Sequence, residues 1–584
     1  MATIPVVVKH QGKRHNVELD PSSNGETFKY QLYSLTGVEP DRQKILVKGG
    51  QLKDDTDLST LGIKPGHTFL MMGSAASGDK GELERPKEPV RFLEDMTEAE
   101  AARAEGATPA GLQNLGNTCY LNSTLQTLRS VPELQEELSK YKPSSSGSAA
   151  GSSLLGELGQ FGLGGLGSSM DLTACLRDLY KQMSETQEGF PPLMFLNALR
   201  SAFPQFAQKS RTGSGYAQQD AEEAWSQIVS QLRQKLKVKD SSPQLGQAGD
   251  ASDETSFVDK YMSGKFESVL KCDESAAADV GEEPVKTEDF FLKLDCHISA
   301  QVNHLRDGIS AGLEEKIEKM SPTLGRNAVY TKTSRISRLP KYLTVHFVRF
   351  FWKRDAQKKA KIMRKVTFPQ ELDAVEFCTD ELKQALIPVR DKVREVGKEE
   401  EDNERQRKRQ KRMERAEGSD RSRELKAKGP ADERQLSEEK KASSGGDSEM
   451  ADIAYKTDAE IEAERAASIL AAKKELLQLV NSQPNQDEGP NRSGLYELRG
   501  VITHQGASAD SGHYTSYVKK DGPQDPKTGK RKEADGKWWW FNDDKVSEVD
   551  YDKIETLAGG GESHSALILL YRAIELPSPE DVQG

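Results

Sequence analysis

Hydrophobic positions at the start of the chain alternate and then change period. Ile4, Val6 and Val8 sit two apart, His10 to Lys13 can turn, and Val17 and Leu19 resume the alternation, which predicts a hairpin. Phe28, Leu32 and Leu35 fall at i, i+4 and i+7 on one helical face, and Gly37 is placed to end that helix. Strands are predicted at Lys44 to Val47 and, past the turn at Pro65 and Gly66, at Thr68 to Met71. Further on, Leu121, Leu125 and Leu128 are spaced for a helix beginning near Thr118. Apolar runs at Phe290 to Asp295, Leu343 to Phe351, Lys365 to Phe368 and Ala566 to Tyr571 predict strands.

Three stretches lack such a pattern. Residues 74–106 are small and charged and read as a linker, and Pro143 to Ser169, where Ser and Gly dominate, reads as a mobile loop inside the next domain. From Val393 to Asn491 the chain is strongly charged: between Lys398 and Arg412 only Asn403, Gln406 and Gln410 are uncharged. No aromatic falls between Phe377 and Tyr455, so burial cannot offset the entropy of ordering, and the segment is expected to be disordered or an isolated charged helix. Near its end Thr457 and Glu460 form a capping-box pattern, with Ala466, Ile469, Leu476 and Val480 on one face. The expected organisation is a domain at 1–73, a linker at 74–106, a second domain at 107–573 interrupted at 393–491, and a tail at 574–584.

Composition removes several function classes. The chain has 584 residues, 30% charged against 35% hydrophobic, with net charge -11. An acidic total repels phosphate backbones and argues against nucleic acid. The basic run Arg405 to Arg415 is neutralised by Glu399 to Glu404 and Glu414 to Glu417, and reads as a solvated spacer rather than a nucleic-acid patch or nuclear address. No window approaches the roughly 18 uncharged apolar residues of a membrane span. The first residues meet Lys9, Lys13 and Arg14 before any apolar run, so no secretory leader is expected. Five cysteines without a CxxC spacing suit neither a disulfide framework nor a thiolate zinc site. A reducing, cytosolic or nuclear compartment follows, with no metal or cofactor.

The chemistry is concentrated in two motifs. In GLQNLGNTCYLNSTLQTLRS, Gly111 to Ser130, a loop of Gly and Asn delivers Cys119 to a helix N-terminus. There the helix dipole and a nearby imidazolium favour the thiolate. Most free cysteines are simply buried in cores, but the Gly and Asn crowded before Cys119 argue against that for this one. In GVITHQGASADSGHYTSYVK, Gly500 to Lys519, His513 follows Gly512 at the mouth of an alternating strand. In WWWFNDD, Asn542 follows an aromatic block and could hold the far imidazole nitrogen, with Asp543 the competing, charged orienter. His346 reads as a packed strand residue and His504 as a rival base.

The strand, strand, helix, strand, strand order of residues 1–73 resembles the ubiquitin-like β-grasp. Lys44 to Gly50 followed by Asp57, Leu58 and Leu61 strengthens the likeness. Its end runs through Gly73 into Ser74, so it cannot be conjugated and reads as a docking module. Asn114 to Leu121 with Gln126, Gly512 to Tyr514, and Trp540 to Asp543 resemble the cysteine and histidine boxes of the ubiquitin-specific proteases, papain-like deubiquitinating enzymes. The leading ubiquitin-like module and the lack of paired zinc cysteines are similar to the proteasome-associated branch of that family.

The resemblance implies an α+β protein, a ubiquitin-like β-grasp domain followed by a papain-like protease domain of thumb, palm and fingers. It implies Cys119 as nucleophile, His513 as base, Asn542 or Asp543 as orienter, and Asn114 as oxyanion donor. Gln218 to Glu223, QQDAEE, resembles the family's QQD box, so that Gln219, Asp220 and Glu223, with Gly512 and Tyr514, would bind the tail of ubiquitin; by itself an acidic helix start is ordinary capping. Gln301 to Lys319 and the loop after Phe351 would lie over the cleft. The implied activity is thiol-dependent hydrolysis of isopeptide bonds between ubiquitin and substrate lysines. The implied partners are ubiquitin, polyubiquitinated proteins and, through residues 1–73, the 26S proteasome regulatory particle, in cytoplasm and nucleus. The rivals are a non-catalytic ubiquitin-binding scaffold on the proteasome and a general papain-type peptidase.

Overall fold

The computed structural model describes residues 3–10, 13–47, 50–73, 97–102, 106–143, 171–210, 215–239, 254–275, 282–353, 358–427, 458–483, 489–508, 511–522, 534–561 and 563–582. They belong to two compact units, residues 1–95 and 96–584. The expected mobile loop at Pro143 to Ser169 and most of the linker at 74–106 lie outside the described residues.

In the first unit, alternating valines pair Ile4–His10 with Lys13–Leu19, Val6 standing opposite Val17. Thr68–Met72 returns parallel to the first strand and antiparallel to Lys44–Val47, the mixed pairing of a β-grasp. The helix Gly25–Thr36 starts where the Asn24 side chain accepts the Thr27 N–H at 3.0 Å. It stops at Gly37, whose φ of 68° is a left-handed cap that returns its N–H to Tyr33. Phe28 and Leu32 enter the core with Val6, Val8, Ile45 and Phe69. Leu35 does not: it is exposed, and Val38, past the reversal at Gly37, is the residue that joins the core. Lys29 is buried instead, its ammonium 2.6 Å from Asp54.

The second unit sets helices against a ten-stranded sheet and carries a separate four-stranded sheet. The main path of the large sheet runs Leu294–His297, Tyr342–Val348, Ser565–Ala573, Leu495–Ser508, Ser511–Lys519, Trp538–Asn542 and Lys545–Val549. One core packs the helices Cys119–Arg129, Leu172–Met183, Leu193–Ala202 and Ala221–Lys235 on one face of this sheet, and a second core fills the other. Strand alternation divides Ser511–Lys519 between them, Tyr514 going to the helices and Tyr517 to the second core. The smaller sheet orders Glu314–Met320, Asn327–Arg338, Gly264–Cys272 and Val285–Phe291.

Several expectations are corrected. Phe290 to Asp295 is not one strand: Val285–Phe291 belongs to the small sheet and Leu294–His297 to the large one. Lys365 to Phe368 is not a strand; Val366 is fully buried, but its N–H bonds the Ala558 carbonyl and only Thr367 makes a bridge. Gln301 to Lys319 forms the helix Leu305–Gly312, packed in the second core, and part of an edge strand. In the expected linker, Glu98–Ala102 is a short helix whose Ala101 carbonyl accepts from Gln187 Nε2 at 2.9 Å. In the expected tail, Ile574 donates its N–H to Leu495 and Leu576 packs on the charged insertion.

That insertion is no isolated helix. Asp380–Ala427 begins ahead of it and pairs with Asp458–Ser482 over a small core of Val389, Val396, Ala472, Leu476 and Val480. Ala466, expected in the stripe, is exposed, and the Thr457 cap lies outside the described residues. Lys392 to Glu475 and Lys473 to Glu400, both at 2.6 Å, join the two helices, and Arg407 also pairs with Glu462. With their carboxylates largely exposed, these pairs each add at most about 1 kcal/mol to what the small core contributes. No helix among the described residues is long and apolar enough to cross a membrane.

Candidate active site

The Cys119–Arg129 helix carries no charge before Arg129 and is buried along its whole length. Most of its polar side chains find partners: Gln126 Nε2 donates to Ala110 at 2.8 Å, Thr124 to Tyr120, and Thr127 to Ser123 at 2.9 Å, while Asn122 Oδ1 is buried without a partner among the described residues. It presses on the sheet so closely that a Cβ at Gly500 would stand 2.7 Å from Thr127 Cγ2. Cys119 is therefore held at the helix start against strand Ser511–Lys519, where the backbone N–H of Tyr514 donates to its sulfur.

That position does not make a resting thiolate. Cys119 is 2% exposed, and burial pushes its thiol up to about 11, aided by the Asp543 carboxylate; the N–H groups of Tyr514, Tyr120 and Cys119 pull the other way and lose. The expectation that the helix start favours the thiolate is corrected by desolvation. A base is needed to take the proton as the sulfur reacts.

His513 stands one residue before Tyr514 on the same strand. Its Nε2 lies 2.6 Å from Oδ1 of Asn542, the last residue of Trp538–Asn542. An amide oxygen only accepts, so Nε2 carries the proton and Nδ1 is left bare. Asp543 does not compete for the ring. At φ 54° its carboxylate turns to the cysteine loop, accepting from Asn122 Nδ2 at 2.8 Å and Asn114 Nδ2 at 3.0 Å, while its carbonyl accepts the Leu112 N–H at 2.9 Å. Asn114 Oδ1 accepts from the N–H groups of Gly116 at 3.0 Å and Thr118 at 3.1 Å. This pins the amide while leaving it one further N–H.

Gly512 has a φ of 134°, and a Cβ there would lie 2.1 Å from the Gln505 carbonyl oxygen, so the residue before His513 must lack a side chain. In QQDAEE, Asp220 caps Ala221–Lys235 by accepting the Glu222 N–H at 2.9 Å, and Gln219 Nε2 donates to Ala217 at 3.3 Å. The Ala221 carbonyl accepts from Thr124 at 3.5 Å, which sets this helix start against the cysteine helix. Glu223 is half-buried in the helix's first turn.

His504, the rival base, is fully buried between Phe350 and Tyr514, with ring centroids 5.2 Å and 4.6 Å away. Burial, and then the nearby Lys361, pull it down to about 3, so it stays neutral. His346 is in its strand, 2.8 Å from Asp295. Sequence reasoning missed Asn122, Lys361 and His564. Lys361 is 6% exposed and donates to the His504 carbonyl at 2.6 Å, with burial lowering its ammonium to about 8. His564 lies beside His513, with ring centroids 6.3 Å apart. The signal for it was the run Gly559 to Gly561 just ahead, a small-residue approach like that before Cys119.

Residues 110–571 match the family model described as ubiquitin carboxyl-terminal hydrolase, and residues 6–76 match that of the ubiquitin family. Ubiquitin carboxyl-terminal hydrolase 6 of Schizosaccharomyces pombe is 42% identical over 98% of this chain and 99% of its own. Ubiquitin carboxyl-terminal hydrolase 7 of Arabidopsis thaliana is 38% identical over 98% and 99% respectively. Ubiquitin carboxyl-terminal hydrolase 14 of Caenorhabditis elegans is 31% identical over 98% and 94%.

Proposed function

Because the chain belongs to the ubiquitin carboxyl-terminal hydrolase family, cysteine-type deubiquitinases, and leads with a domain of the ubiquitin family, we propose that it releases ubiquitin from proteins at the proteasome. Residues 1–73 dock the enzyme on the regulatory particle, and the second unit hydrolyses the isopeptide bond, recycling ubiquitin in cytoplasm and nucleus. The observation that carries the catalytic part is the contact of the Cys119 sulfur with the Tyr514 N–H, one residue from an imidazole held by Asn542.

The chemistry follows from those groups. His513 Nδ1 takes the Cys119 proton as the sulfur attacks the carbonyl carbon of ubiquitin's terminal glycine. The remaining N–H of the Asn114 amide meets the oxyanion. The intermediate collapses to a thioester while His513 returns the proton to the departing lysine amine, and water then hydrolyses the thioester through the same base. Asp220 and its neighbours Gln219 and Glu223 offer acidic and amide groups to the basic tail of ubiquitin, and exposed Gly512 lines the approach, whereas the Tyr514 side chain, expected there, is 1% exposed and packs among the helices.

Docking is supported by the apolar face of the first unit. Leu46, Leu70 and Met72 are 43%, 47% and 49% exposed, and Leu46 pairs directly with Leu70 across two strands. Ubiquitin carrying a C-terminal electrophile, mixed with the full chain with and without 26S proteasomes, tests the whole reading. An adduct at Cys119, strengthened by proteasomes and absent in Cys119→Ala, is expected. No adduct under either condition would leave a ubiquitin-binding scaffold.

A further inference from the structure

His564 precedes the strand Ser565–Ala573 and comes from a part of the sequence remote from both motifs. Its ring meets that of His513 edge to face, with centroids 6.3 Å apart and planes at 74°. Its Nδ1 lies 3.1 Å from the Thr503 hydroxyl and 3.5 Å from that of Thr515. These two threonines are themselves a cross-strand pair, 2.8 Å apart through their hydroxyls, on the hairpin that bears His513. The ring is thus fixed from below by the same two strands that hold the base.

From this geometry we propose that His564 is a positioning residue for His513. It is a neutral imidazole that closes one side of the catalytic ring, keeping Nε2 on Asn542 and Nδ1 free toward Cys119. Among the described residues the groups that act on it electrostatically are basic: His513 and His504 on the hairpin, Lys361 on Lys358–Lys361, and Lys553 on Tyr551–Glu555. An imidazolium at His564 would oppose the one that His513 must become, and burial, which pulls His564 down to about 4, keeps it uncharged. A neutral ring anchored by hydroxyls can touch the base without competing for its proton. A carboxylate or a free cation in its place would shift the proton instead.

The inference rests on the hydrolase reading, and its test separates the two. In the full chain, His564→Ala should lower kcat on a ubiquitin amide substrate by up to roughly 100-fold, the cost of a slightly misplaced catalytic group, with KM within about twofold. Its ubiquitin affinity in a Cys119→Ala background should be unchanged. His564→Phe, which keeps the ring contact and loses the hydroxyl bonds, should recover part of the rate, to about the level of Thr503→Val. Nitrogen-15 spectra of the histidines should show His513 leaving the Nε2–H tautomer in the alanine variant only. If His564→Ala unfolds the protein, Thr503→Val, which removes the nearer anchor, should give a partial loss of kcat. Wild-type kcat in His564→Ala, or in a folded Thr503→Val, with the His513 tautomer unchanged, would overturn the inference while leaving the hydrolase reading intact. An inactive wild-type enzyme would overturn the reading itself.

Discussion

His513 holds its proton against Asn542 through a 2.6 Å contact between Nε2 and Oδ1, although a carboxylate stands one residue away at Asp543. A neutral acceptor fixes the tautomer without drawing the ring toward its charged form. The imidazole is thereby left as a base for a thiol that burial keeps protonated.

Asn542→Ala should therefore reduce kcat by roughly 100-fold, the low end of what a positioned general base contributes, with little change in KM. Asn542→Asp should retain activity and move the acid limb of kcat/KM to higher pH, because a carboxylate stabilises the imidazolium. A pH profile of hydrolysis of a ubiquitin amide distinguishes the two. Equal loss in both variants would mean that Asn542 acts by shape and not by accepting the proton.

Asp543 should matter through the cysteine loop. Its charge raises the Cys119 thiol, so Asp543→Asn should shift the pH dependence of iodoacetamide alkylation at Cys119 downward. Asp543→Ala removes the charged acceptor of Asn122 Nδ2 and Asn114 Nδ2, leaving Asn122 only its longer contacts to the Leu112 and Gln113 carbonyls at 3.2 and 3.3 Å, and should destabilise the second unit by about 1.5–3 kcal/mol in urea melts. An unshifted alkylation profile would remove Asp543 from the electrostatics of the thiol.

These partners show where sequence reading stopped. The placement of Cys119 at a helix start and of His513 and Asn542 on strands is legible because glycine, helix-start and strand-end patterns mark them locally. The competition between Asn542 and Asp543 was not, because it is decided by a single left-handed residue: at φ 54° the chain turns the carboxylate away from the ring. The same limit explains Lys365 to Phe368. Alternation reported the burial of Val366 correctly, but a strand also needs a neighbour, and its N–H meets the Ala558 loop instead. The thiol was misjudged because dipole and distance are visible in a motif whereas desolvation depends on residues hundreds of positions apart. The paired helices of the insertion escaped for a similar reason, since their stripe of Val389, Val396, Leu476 and Val480 is assembled from two segments.

Acid should destabilise the second unit through its buried imidazoles. His504 and His564 titrate at about 3 and about 4 in the folded chain, against roughly 6.5 when unfolded. Between those values the unfolded state binds more protons, so the stabilisation is complete above pH 6.5 and is lost as pH falls toward 4 and then 3. All five tryptophans, Trp225, Trp352, Trp538, Trp539 and Trp540, lie in the second unit, so their fluorescence in urea melts at pH 7 and pH 5 reports it alone. His504→Phe should show a shallower decline, and an equal decline would assign the acid sensitivity elsewhere.

Lys361 predicts the opposite end of the pH scale. Burial lowers its ammonium from 10.5 to about 8, so the unfolded chain again binds the extra proton, now between pH 8 and 10.5, and stability contributed by this group rises through that window. Comparing melts of the wild type with Lys361→Met isolates the effect: the wild type should gain relative to the variant from pH 8 to 10. A constant difference would mean that burial does not lower the ammonium, the folded and unfolded chains then releasing its proton over the same range.

The first unit makes a prediction independent of the chemistry. Leu46 and Leu70 face each other on adjacent strands, and Met72 stands opposite Lys44, so three exposed apolar side chains share one end of a sheet whose core does not need them. Replacing both leucines with glutamate puts two carboxylates side by side on that face while sparing every buried residue of the unit, so the fold should survive, at the cost of a modest like-charge pair. In the full chain, Leu46→Glu with Leu70→Glu should abolish co-sedimentation with 26S proteasomes and leave hydrolysis of a small ubiquitin amide at the wild-type rate. Loss of both would show that the substitutions act beyond docking. Retained co-sedimentation, with the double variant still folded by amide NMR, would move the proteasome contact to another surface of the chain.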